Sequence, residues 1–175
     1  MTSFPSTLHR FATHFSSEEA VYGVILVSGL VAVAGSAEIS AVRALVLCVM
    51  TVVVFWAAHV YAGTVARHGA HVTAATGEME VVGLRRAIRA SIDHANGLLV
   101  SAVLPVLVLV AGAAELLDDQ VALWATLWVN VGVLLLLGWV AYERKGAPVR
   151  MRLLGGVATA SFGLLIIVVK AIVTH

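Results

Sequence analysis

His59 stands in the run Val52-Val-Val-Phe-Trp-Ala-Ala-His-Val-Tyr-Ala-Gly63, which holds no charged residue. Arg67 lies eight positions on, about 12 Å along a helix, too far for the imidazole to reach water by extending past its own stem. An ionisable side chain inside an apolar span is costly, and one that exchanges protons near neutral pH is suited to proton or ion movement. Tyr22 and Glu19 in the first apolar run, and Asn96 with Asp93 at the start of the third, are candidate partners at matching depth. The ordinary reading is a neutral imidazole hydrogen-bonded to a neighbouring helix.

Other chemistries find less support. His68-Gly-Ala-His71, followed by Glu78, Glu80 and His94, brings metal-binding types together, but Gly69 interrupts the first pair and the acids lie far along. Zinc wants three or four converging groups, so no metal and no cofactor is expected. Neither a Gly-rich phosphate loop nor GxSxG nor HExxH is present. Ser28 or Ser161 with His59 would make a dyad, yet no spacing singles out a nucleophile, and no catalytic residue is assigned.

These residues must be positioned by elements that are nearly all apolar. Apolar types make up 61% of the 175 residues and charged types 12%, whereas soluble domains carry about 45–50% and about 25%. Five runs lack Asp, Glu, Lys and Arg: Ala20–Ala37, Ala44–Ala66, Ala95–Ala114, Gln120–Tyr142 and Leu153–Val169. Each is close to the ~20 residues that cross a bilayer as a helix. The runs do not alternate as barrel strands do, and in hydrocarbon only a helix satisfies its own backbone. The expected fold is an all-α transmembrane bundle of five helices in a single domain over 1–175.

Charge placement gives an expected orientation. With the N-terminus inside, Arg10, Arg67, Arg85, Arg86, Arg89, Arg144, Lys145, Arg150 and Arg152 are internal, against Arg43 and Lys170 outside. The acidic loop Glu115, Asp118, Asp119 and the C-terminal His175 then lie outside. Arg10 before the first apolar run also fits a signal peptide, but Glu18 and Glu19 occupy the position that should be basic, so the first helix is expected to be retained. Cys48 is the single cysteine, which excludes an internal disulfide, and a net charge of +1 suggests no nucleic-acid partner.

Finer expectations follow along the chain. Met1–Phe15 reads as a surface segment, and Ser16-Ser-Glu-Glu19 as a capping box. Val81, Leu84, Ile88 and Ile92 share one helical face while Arg86, Arg89 and Asp93 point elsewhere, so Gly77–His94 reads as an amphipathic helix in the inner headgroup region. Arg85, Arg86 and Arg89 there could meet a protein partner or anionic lipid. Pro105 frees the carbonyl of Ser101, and the Asn130 amide, at similar depth, could satisfy it. Asn130 is otherwise helix glue or a pathway residue. Trp124 and Trp128, and Trp139 with Tyr142, match aromatic belts at two interfaces. Gly155, Thr159 and Gly163 form a small-residue face, for packing within the chain or for a homo-oligomer.

Glu19-Ala-Val-Tyr-Gly-Val-Ile25 and Phe55-Trp-Ala-Ala-His-Val-Tyr-Ala62 resemble a group of multi-pass membrane proteins of actinobacteria, mainly over the first two helices. The resemblance implies no activity and carries no residue role. Trp56-Ala-Ala-His59 and Leu104-Pro105 are also similar to elements of the small endolysosomal and bacterial potassium channels. The Phe-Ser-Asp of that family's first helix is missing, with Val21-Tyr-Gly23 in its place, and five helices stand where that family has six.

The leading expectation is a bacterial plasma-membrane protein for ion or proton transport, with His59 as the protonatable group and Glu19, Tyr22, Asn96 and Asn130 as polar supports. The alternative is a non-catalytic membrane subunit or scaffold holding a protein partner.

Overall fold

A computed structural model describes residues 18–37, 39–72 and 79–173 of the chain. Its helices are α1 (Glu18–Ser36), α2 (Ala41–Arg67), α3 (Leu84–Ala113), α4 (Asp119–Arg144) and α5 (Val149–Val173), with strands β1 (Gly69–Val72) and β2 (Met79–Val82) between α2 and α3. All five helices are long and apolar enough to cross a membrane.

Their ends explain the short connections. α3 closes with Glu115 N–H on the Gly112 carbonyl and Leu116 N–H on the Ala111 carbonyl, with Glu115 at φ +58°. α4 ends in the same way, Gly146 at φ +66° bonding Glu143 and Ala147 bonding Tyr142. This left-handed cap is where glycine is favoured. The side chain of Asp118 then caps α4 by accepting from Gln120 N–H. At the other turn Arg152 donates to the Ala147 carbonyl and to Glu143, holding α5 beneath α4.

α1 lies at the centre and touches the other four helices. Its apolar side chains Val24, Val27 and Val31 are fully buried against Leu98, Leu127 and Leu134 of α3 and α4. Small residues permit close packing: a methyl at Gly23 of α1 would meet Ser101 and Leu98 of α3, and one at Gly112 of α3 would meet Ala122 of α4 and Ala41 of α2. α2 and α5 form the rim, with Val46, Val54, Leu165 and Ile172 among many apolar side chains facing outward.

The segment expected as a separate amphipathic helix over Gly77–His94 folds otherwise. Residues 77 and 78 lie outside the described residues, Met79–Val82 pairs antiparallel with Gly69–Val72, and Leu84 onward is continuous with α3. Neither glycine nor proline interrupts Leu84–Asn96, so nothing stops the α3 ladder from extending through it. Met1–Phe15 and the Ser16 cap also lie outside the described residues.

The small-residue face of α5 is used within the chain. Gly155 lies against Tyr142 and Gly138, Gly163 against Val131 and Leu134, and Thr159 Oγ1 bonds the Gly155 carbonyl.

Candidate functional site

The polar interior lies along α1 where it meets α3 and α4. In the first turn of α1, Glu19 Oε1 pairs with Nε2 of His94 from α3 at 2.5 Å. The Glu19 side chain is 7% exposed and that of His94 is 56% exposed. The second oxygen, Oε2, is buried and has no hydrogen-bond partner among the described residues. One turn along α1, Gly23 faces the buried hydroxyl of Ser101, which donates to its own helix at the Leu98 carbonyl. Further in, Asn130 is fully buried and donates from Nδ2 to Ser28 Oγ at 2.9 Å, while Ser28 donates to the Val24 carbonyl. Asn130 Oδ1 has no partner among the described residues.

Along α1 these groups stand about 6 Å and then about 8 Å apart, so Ser28 lies roughly 14 Å beyond Glu19. A buried polar atom left without a partner costs about 1–3 kcal/mol. Among the described residues, Glu19 Oε2 and Asn130 Oδ1 are in that position, and both border the same seam.

The expectation that Asn130 satisfies the Ser101 carbonyl is not met. Its amide reaches across to α1 because Ser28 faces α4, whereas the Ser101 side chain is turned toward Gly23. His59 is half-buried on α2, and both its hydrogen bond (Nδ1 to the Phe55 carbonyl, 3.1 Å) and its ring contact (4.5 Å between centroids) go to Phe55 of its own helix. The carbonyl can only accept, so Nδ1 carries the proton. Tyr22 is exposed and Asn96 half-buried. Of the proposed pathway residues, Glu19 and Asn130 thus lie on one seam, with His59 on another helix.

Two features escaped the sequence reading. The partner of Glu19 is His94, which spacing had grouped with loop residues; its place two residues before Asn96 was the available signal. Lys170 is 3% exposed, its Nζ 4.1 Å from the centroid of the Trp124 ring and against Gly35. The only hint was that α5 carries a cation in its last turn.

His68 Nδ1 bonds the Val82 carbonyl, and no cluster of metal-ligating residues occurs among those described. Ser161 is exposed and bonds the Ala158 carbonyl. Arg85, Arg86 and Arg89 project from the first turns of α3 and are all exposed.

The class defined by these elements is a bundle of five apolar helices with a polar inner seam. The chain matches no family model, no curated protein and no solved structure.

Proposed function

We propose that the chain is an integral protein of a bacterial plasma membrane, with the basic end of the bundle inside and the end of α5 outside, and that it moves protons or small cations along the α1/α3/α4 seam. The apolar rim of α2 and α5 supports insertion, since such surfaces are unfavourable in water. The observation that carries the transport reading is the Glu19–His94 pair. A buried carboxylate with one oxygen that has no partner among the described residues meets an imidazole open to solvent, which makes a proton-exchanging mouth leading toward Ser28 and Asn130. The gaps between polar groups exceed one hydrogen bond, so transfer requires intervening water and a loosening around Val24 and Val27. Tyr22 and Asn96 lie beside the mouth in sequence, and His59 supports the fold of α2.

The test is proton and potassium flux into proteoliposomes. Wild-type flux above empty vesicles, lost in Glu19→Gln and reduced in His94→Ala but kept in His59→Ala, is expected. Wild-type protein that is folded and gives no flux under either gradient would overturn the transport reading.

A second reading is a non-catalytic membrane subunit whose exposed Arg85, Arg86 and Arg89 bind an acidic protein at the inner face. It predicts a stoichiometric partner that is lost when Arg85 and Arg89 are changed to Glu. Self-association, in either reading, would use the outer faces of α2 or α5, because α4 already covers Gly155, Thr159 and Gly163.

A further inference from the structure

An open groove of about 490 Å³ runs between α2 and the first turns of α3. Trp56, Val60, Tyr61, Val65, Leu84 and Ile88 line it, and its surface is almost wholly apolar. Along α2 the lining runs from Trp56 to His68, about 18 Å at ~1.5 Å per residue. Half of a hydrocarbon core of about 30 Å is about 15 Å. The groove is therefore as long as one leaflet is deep.

Its charged end is fixed by the helix register. Arg67 Nη1 donates to Ser91 Oγ at 3.3 Å, and a methyl at Gly63 would also meet Ser91, so the last turn of α2 is level with Ser91. Arg89 and Arg85 stand in the two turns before Ser91 and sit four apart on one side of α3, next to the face that presents Leu84 and Ile88. They are exposed at the depth where headgroup phosphates lie if the bundle spans a membrane.

From this juxtaposition we infer that the groove between α2 and α3 holds one acyl chain of an inner-leaflet anionic phospholipid, with its phosphate between Arg85 and Arg89. The inference rests on the membrane reading above and is independent of transport. Its support is the match of groove length to one leaflet and of guanidinium charge to phosphate. A neutral lipid would fill the groove equally but gain nothing from the arginines.

The experiment uses the full chain, purified in mild detergent, stripped of lipid and titrated with phosphatidylglycerol or phosphatidylcholine of identical chains, with bound lipid counted by native mass spectrometry. Membrane extraction is scored first, so that a chain found outside the membrane fraction defeats the membrane reading, and the inference with it, before any lipid is added. For membrane-extracted protein, one phosphatidylglycerol should be retained in preference to phosphatidylcholine. Each of Arg85→Gln and Arg89→Gln should lower that preference about fivefold. Ala57→Trp, which fills the groove, should abolish the retained lipid of either kind, and the two arginine variants keep the test decisive if it does not fold. Equal retention of both lipids by wild type, preference unchanged in both arginine variants, or displacement of lipid by a second copy or an acidic protein at the same arginines would overturn the inference.

Discussion

Asp119, in the first turn of α4, accepts the backbone N–H of Ala41, the first residue of α2, at 2.8 Å. Ser40, which occupies the cap position of α2, makes no side-chain cap bond, so a carboxylate from another helix does that work. The neighbouring Asp118 caps α4 itself. Two acids that look like a solvated loop in the sequence thereby fix the start of two helices. Asp119→Ala should destabilise the bundle by about 1 kcal/mol, as loss of a helix cap does, and Asp118→Ala by a similar amount. Thermal unfolding of the detergent-solubilised variants measures both, and an unchanged midpoint for Asp119→Ala would show that the cross-helix cap contributes nothing.

The two left-handed caps differ only in their residue, Glu115 after α3 and Gly146 after α4. A side chain in that conformation costs about 1–2 kcal/mol. Glu115→Gly should raise the unfolding midpoint and Gly146→Ala should lower it, the two changes having opposite sign at the same backbone geometry.

Removing either partner of the Asn130–Ser28 bond should leave a buried polar group. Interhelical hydrogen bonds in membranes couple by about 0.6 kcal/mol on average and at most about 1.7. A double-mutant cycle of Asn130→Ala with Ser28→Ala, followed by steric trapping or denaturant unfolding, should return a coupling inside that range. A value near zero would mean that Ser28 Oγ, which still donates to the Val24 carbonyl, finds another donor when Asn130 is removed.

Gly155→Leu should force Tyr142 and Gly138 away from α5, with overpacking costing about 1–3 kcal/mol. Because this contact lies within one chain, the variant should unfold more easily while its association state, measured by light scattering, stays that of the wild type. A selective loss of oligomer with stability intact would instead place Gly155 at an interface between chains.

The five helices were legible because each contains an uninterrupted apolar run; most observed ends lie within four residues of the expected ones, as with Glu143 and Arg144 in α4, whereas α3 begins at Leu84, eleven residues before the expected Ala95. The hairpin between α2 and α3 was not legible: its strands are four residues each, and the helical spacing of Val81, Leu84 and Ile88 outweighed the β-branched Val81-Val82 pair. Of the candidate site, the cost of Glu19 and Asn130 could be read from their types. Their partners could not, since His94 and Ser28 are set by the relative depth of packed helices, which periodicity does not encode. His59 differs again: an i−4 backbone carbonyl of its own helix supplies the hydrogen bond that a neighbour was expected to give.

The central place of α1 has a consequence in time. Ser28 and its partner Asn130 are 102 residues apart, and at synthesis rates of about 5–20 residues per second the second follows the first by roughly 5–20 s. For that interval α1 carries Glu19 and the Ser28 hydroxyl with α4 still unmade. This helix, which touches all four others, is therefore made first and waits longest for its walls.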